Sequence, residues 1–90
     1  MLGGITRIVK ITAQITDETA TITMTRAEAL VLFEFLSRFD QDEQLDVRDK
    51  AEELVLWHVH GAFERVLAEP FAADYLKRLE TARETVRHSA

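Results

Sequence analysis

Residues 27–39 read AEALVLFEFLSRF, and they predict a helix that is apolar on more than one side. Nine of these 13 positions are apolar. On a helical wheel they cover an arc of about 200°, whereas one core-facing stripe needs roughly 100°. Such a helix needs neighbours on two sides. Because a chain of 90 residues can provide few of them, we expect another chain to cover part of this helix.

The composition is that of one small globular domain, with 47% apolar and 30% charged residues. No apolar run approaches the roughly 20 residues that cross a bilayer, and no secretory signal is evident, so we expect a cytoplasmic protein and no membrane contact. There is no cysteine, which excludes disulfides and zinc–thiolate sites. The net charge of −5, without a basic stripe, disfavours binding to nucleic acid.

The residues before this helix predict a β-hairpin. Two runs rich in Thr, Ile and Val alternate polar and apolar side chains, as in Ala20, Ile22 and Met24 between threonines. This period of two indicates strands with one buried face. The polar residues 16–19 form a plausible turn. We therefore expect a two-stranded antiparallel hairpin over about 4–24, with both outer edges free for pairing.

Three helices are predicted after the hairpin, over about 26–39, 47–68 and 71–87. Thr25 and Glu28 have the spacing of a capping box at the start of the first helix. Asp46 has the residue type and position of an N-cap for the second, and Pro70 separates the second helix from the third. The predicted fold is α+β and mostly α: a single domain with a ββααα order, in which the hairpin precedes a three-helix bundle.

The second helix has a predicted core-facing stripe, made of Ala51, Val55, Val59, Phe63 and Val66. Gly61 lies inside this helix at a cost of roughly 1 kcal/mol relative to Ala. The simplest interpretation is that a neighbouring helix approaches closely at Gly61.

Leu54 and Trp57 lie off this stripe, and Trp is enriched at the centres of protein interfaces. The alternative is that Trp57 belongs to the core. Our leading hypothesis is a small non-catalytic interaction protein, either a homodimer or part of a small complex. Its predicted contact set joins the first two helices: Leu30, Val31, Phe35, Leu54 and Trp57.

A second hypothesis is a metal or small-ligand binder with a site formed across a dimer interface. His60, Glu64 and Glu53 fall within about 60° on the helical wheel, but the simpler interpretation is a solvated face with a weak ion pair. Two ligands from one helix are too few for a metal site, so we expect no cofactor. No catalytic motif is present and neither serine has a histidine at a recognisable spacing, so we expect no enzyme activity.

The segment Asp40–Glu53 contains seven acidic residues against Arg48 and Lys50. It begins like a calcium loop, but Leu45 replaces the required glycine and Ala51 the bidentate glutamate. The segment could instead dock a basic partner, as an immunity or antitoxin protein would, because a patch of one sign selects its partners. Its docking residues would be Asp40, Asp42, Glu43, Asp46 and Asp49. A nucleic-acid regulator that uses Arg78, Arg83 and Arg87 is the last hypothesis.

Overall fold

The computed structural model describes the backbone of residues 11–42 and 46–89, and the side chains of residues 11–39 and 46–89. Its elements are strands β1 (Thr12–Thr16) and β2 (Thr19–Thr23), then helices α1 (Arg26–Asp42), α2 (Lys50–Val66) and α3 (Tyr75–His88), with a short 3-10 helix (Glu69–Phe71) before α3. The predicted ββααα order and α+β class are confirmed. Within the described residues, no helix is long and apolar enough to cross a membrane.

The hairpin has the predicted turn but not the predicted burial. β1 and β2 pair in antiparallel fashion around a two-residue turn that starts at Asp17, whose φ of 53° lies in the left-handed region that Asp tolerates well. The register places Ala13 opposite Ile22 and Ile15 opposite Ala20. Every strand residue is nevertheless exposed. The prediction of one buried face is wrong for the described strands, because the helices form the core without the hairpin. Residues 4–10 of the predicted hairpin lie outside the described part of the chain.

The start of α1 is held by the predicted capping box. The Glu28 N–H donates to Thr25 Oγ1 at 3.1 Å, and Glu28 Oε1 accepts from the Thr25 N–H at 2.9 Å. These reciprocal bonds satisfy backbone donors that have no partner within the helix. Met24, just before the cap, packs against the core. The junction between β2 and α1 is therefore tied to the helical body.

The core forms around α1, which packs against both α2 and α3. Its members come from α1, from the end of α2 and from α3: Ala29, Leu30, Phe33, Leu67, Leu79 and Ala82. Leu36 and Phe39 of α1 are also buried. The two-sided helix predicted from residues 27–39 thus receives neighbours on two sides from its own chain.

The helix boundaries differ from the predicted ones by a few residues. α1 continues to Asp42, three residues beyond the end of its apolar periodicity. α2 begins one turn later than predicted, since Asp49 rather than Asp46 caps it and accepts from the Ala51 N–H at 2.7 Å. α3 begins only at Tyr75, because the residues after Pro70 first form the tighter 3-10 turn.

The packing face of α2 is the main correction to the sequence-based prediction. The side turned to α1 carries Leu56, His60 and Phe63, which are half-buried. Phe63 and the half-buried Val59 belong to the predicted stripe, but its other members, Ala51, Val55 and Val66, are exposed. Gly61 is not approached by another element: a Cβ added there would meet nothing within 4 Å. The proposed close helix contact at Gly61 is therefore absent from the described part of the chain.

Candidate interaction surface

The inner face of α2 is attached to α1 through His60. The imidazole stacks on the Phe33 ring with the centroids 4.7 Å apart and the planes 9° from parallel. His60 Nε2 lies 2.9 Å from Ser37 Oγ, and Ser37 Oγ donates to the Phe33 carbonyl at 3.0 Å. His60 therefore contacts two residues of α1: its ring packs on Phe33, and its Nε2 lies within hydrogen-bond distance of Ser37.

The Ser37–His60 pair was missed in the sequence because 23 residues separate its members. A signal was available, since His60 shares one helical face with Leu56, Phe63 and Leu67. Ser37 Oγ lies within hydrogen-bond distance of both the Phe33 carbonyl and His60 Nε2, and the direction of its bond to the imidazole depends on the histidine tautomer.

The weak metal candidates do not gather into a site. His60 faces α1, while the Glu53 carboxylate accepts from Lys50 Nζ at 2.7 Å. Glu64 lies with His60 along one shallow depression. In the stretches 11–42 and 46–89, no group of three or more His, Cys, Asp or Glu could hold a metal ion. Nothing in the described chain therefore favours the hypothesis of a metal site over that of a solvated face.

The outer side of α2 presents two large apolar side chains next to a glycine. Leu54 is 39% exposed and Trp57 is 45% exposed, and Lys50 Nζ lies 5.2 Å from the Trp57 ring centroid. Leu54, Trp57 and Gly61 fall within about 60° on the helical wheel. A depression of about 340 Å³ runs beside them, lined by Trp57, His60, Gly61 and Glu64. We call Leu54, Trp57, Gly61 and Glu64 the α2 groove.

The predicted contact set is divided by the structure. Leu30 is only 3% exposed and belongs to the core, and Val31 packs partly against that core. Phe35 is 41% exposed, with the Arg38 guanidinium 5.9 Å from its ring centroid. Phe33 faces α2, and a residue two positions away points about 200° from it. Phe35 therefore lies on the far side of α1 from Leu54 and Trp57. Of the predicted contact set, only Leu54 and Trp57 lie together on one exposed surface.

The acidic docking residues are described only in part. The side chains of Asp40, Asp42 and Glu43 lie outside the described part of the chain. Asp49 is engaged as the N-cap of α2, and Asp46 is exposed and 3.7 Å from Arg48 Nε. Neither contact points to a basic partner, so the charge of the segment remains the only support for a docking patch.

The α3 arginines that could touch nucleic acid are paired with carboxylates. Arg78 Nε lies 2.7 Å from Asp74, and Arg87 lies 3.0 Å from Glu80. Arg83 lies 3.6 Å from the same Glu80. The hydrogen bond from Arg87 lowers the pKa of the Glu80 carboxyl, which keeps it charged. This interleaving of charges is the opposite of the continuous basic surface that phosphate backbones require.

A second groove, of about 390 Å³, lies between the start of α1 and α3. One wall is the Arg26–Glu69 pair, in which the guanidinium donates to both carboxylate oxygens at 2.6 and 3.2 Å. This bidentate bond lowers the pKa of Glu69. Sequence analysis did not identify the pair, which joins residues 43 positions apart. The charges of Arg26 and Glu69 are satisfied by each other.

Comparison of the chain with protein family models, with functionally characterised proteins and with solved structures gave no match.

Proposed function

We propose that this protein is a small non-catalytic protein–protein interaction module, homodimeric or part of a small complex, and that it binds through the α2 groove. The observation that supports this proposal is the burial of α2. This helix of 17 residues has no buried residue, although it lies second in a three-helix body. Two of its exposed apolar side chains, Leu54 and Trp57, lie one turn apart, and apolar surface grouped in this way is typical of contact sites.

The composition of the α2 groove suits a partner helix. Trp57 offers a large ring with few rotatable bonds, which is common at the centre of interfaces. Gly61, one turn further along, has no side chain and open space above it. Small residues allow the backbone of another helix to come close. Leu54 and Trp57 would then pack beside that helix. Contact with a partner helix would also explain why α2 contains a glycine that lowers its helix propensity.

Trp57 is the only tryptophan in the chain, and it provides a direct test. Its fluorescence should shift to shorter wavelength as a partner excludes water. We would record emission and molar mass by light scattering across the same concentration series, from nanomolar to high micromolar. For a homodimer, both signals should change together. For a complex with another protein, they should change only when fractions from the source cell are added.

Two matched variants make the test specific. Leu54→Asp places a charge in the α2 groove and should abolish the change in Trp57 emission. Val66→Asp places the same charge on another exposed apolar position of the same helix and should leave the change in emission as in the wild type. A protein that stays monomeric at high micromolar concentration and captures no partner would refute the proposal, and so would equal effects of the two variants.

A further inference from the structure

The hairpin is a second apolar surface, separate from the α2 groove. Its register gathers Ala13, Ile15, Ala20 and Ile22 on one face and leaves threonines and Gln14 on the other. Ile15 is 78% exposed and Ile22 is 61% exposed. A two-stranded hairpin is marginally stable in water by itself, and three or more strands with an apolar face, or packing against a helix, are needed for independent stability. Every residue of the two strands is exposed, so within the described residues the hairpin has neither kind of support.

The edges of the hairpin have none of the features that prevent pairing. Exposed edge strands are normally protected by charged residues, by proline or by a bulge. β1 reads TAQIT and β2 reads TATIT, so both strands are free of charge and proline. Their register is continuous, without a bulge. Such edges are suited to backbone pairing with another strand.

We propose that a second copy of this chain pairs with β2 across a two-fold axis at Thr21, so that two hairpins form one four-stranded antiparallel sheet. β2 is the strand anchored to the helical body, because Met24 and the capping box of α1 follow it directly. The axis places Ala20 opposite the partner's Ile22. This repeats the chain's own pairing of Ala13 with Ile22 and Ile15 with Ala20.

The polar face of β2 matches itself in the same way. Thr19 would lie opposite the partner's Thr23, as Thr12 lies opposite Thr23 within the chain. β2 has no charged residue, so no electrostatic repulsion between the two β2 strands would oppose the pairing. The apolar faces of the two hairpins would join on one side of the sheet, and the threonine faces would join on the other.

The backbone geometry agrees with this axis. A two-residue turn makes Thr16 and Thr19 a hydrogen-bonded pair, and the alternation along an antiparallel ladder then directs the Thr21 backbone toward β1. The N–H and C=O groups of Ala20 and Ile22 consequently point outward along the edge of β2, which no other described strand occupies. They would bond to the partner, and the two copies of Thr21 would form a non-hydrogen-bonded pair with Cα atoms about 4.5 Å apart.

Cysteine cross-linking tests this geometry without background, because the chain has no cysteine. A Cα separation of about 4.5 Å is within the range of a disulfide, so Thr21→Cys should give mostly covalent dimer under mild oxidation at micromolar concentration. Thr19→Cys is the matched control on the same exposed face. Its two copies would be about 14 Å apart, which a disulfide cannot span, so it should remain largely monomeric on a non-reducing gel.

Three results would overturn the proposal: a monomeric wild-type protein in light scattering at the same concentration, equal cross-linking rates for the two variants, or faster cross-linking of Gln14→Cys. The last would place the contact on β1 instead. As a second measurement, Thr21→Lys puts two like charges together at the axis and should dissociate the dimer, while Thr19→Lys should not. The proposal is independent of the α2 groove: cross-linking reports on the hairpin, and Trp57 emission reports on α2.

Discussion

Replacing Gly61 by alanine should stabilise the isolated protein. Gly61 lies inside α2, and an added Cβ would meet nothing within 4 Å, so the methyl group causes no clash. The backbone there is helical, which alanine adopts without strain. The gain is then the difference in helix propensity, about 1 kcal/mol in the free energy of unfolding. For a domain of this size, that corresponds to a rise of about 4–8 °C in the melting temperature.

The assay is urea unfolding followed by circular dichroism at the lowest workable concentration, where association is weakest. Ala62→Gly is the matched control, because Ala62 is the next residue, is exposed and is in the same helix. It should destabilise by about the same 1 kcal/mol. The double variant should then be close to the wild type. If Gly61→Ala lowers stability under these conditions, something in the chain requires the glycine and the description of the site as open is wrong.

The same variant has a second consequence at high concentration. If a partner helix approaches α2 at Gly61, the added methyl group lies in the contact and should weaken association, even though the free chain is more stable. The concentration at which Trp57 emission shifts should therefore rise for Gly61→Ala. An unchanged midpoint would show that the contact does not include this part of the α2 groove.

Three further predictions concern polar contacts, each checked by urea unfolding. Ser37→Ala leaves His60 Nε2 without its 2.9 Å partner and should cost about 1 kcal/mol. Thr25→Ala removes the capping hydroxyl of α1 and should also cost about 1 kcal/mol. Tyr75→Phe removes the 2.7 Å bond to the Glu34 carboxylate and should cost about 1.5 kcal/mol. Burial and this bond raise the pKa of Tyr75, so the wild type should lose stability above about pH 10, and the phenylalanine variant should lose less.

Controls separate these effects from general damage. Thr85→Ala removes an exposed hydroxyl that donates to the carbonyl four residues back, as the Ser37 hydroxyl does. Unlike Ser37, Thr85 makes no hydrogen bond to a histidine among the described residues. It should change stability by less than Ser37→Ala. Equal losses would mean that the His60 contact contributes nothing to the free energy of unfolding.

For Tyr75, the direction of the pH dependence follows from its raised pKa. A group whose pKa is raised in the folded state stabilises that state below the group's ordinary pKa. A parallel pH dependence of wild type and Tyr75→Phe would contradict this assignment.

Local patterns in the sequence were sufficient for the elements and for some of their ends. The alternation in residues 12–23, the wide apolar arc in residues 27–39 and the helical patterns on either side of Pro70 predicted the order ββααα, because both periodicities follow from backbone geometry alone. The capping box of Thr25 and Glu28 was also predictable, since its two hydrogen bonds join residues three apart. Such contacts need no knowledge of the rest of the fold.

Tertiary structure decided which faces of the elements are used. α2 has two helical stripes that share Phe63, one with Val55 and Val66 and one with Leu56 and His60, and hydrophobicity alone favours the first. The second packs against α1 because His60 can both stack on Phe33 and reach Ser37, a combination that exists only when the two helices meet. The exposure of the hairpin has the same origin: a period of two shows that a strand has an apolar face, but only the assembled core shows whether this chain covers it.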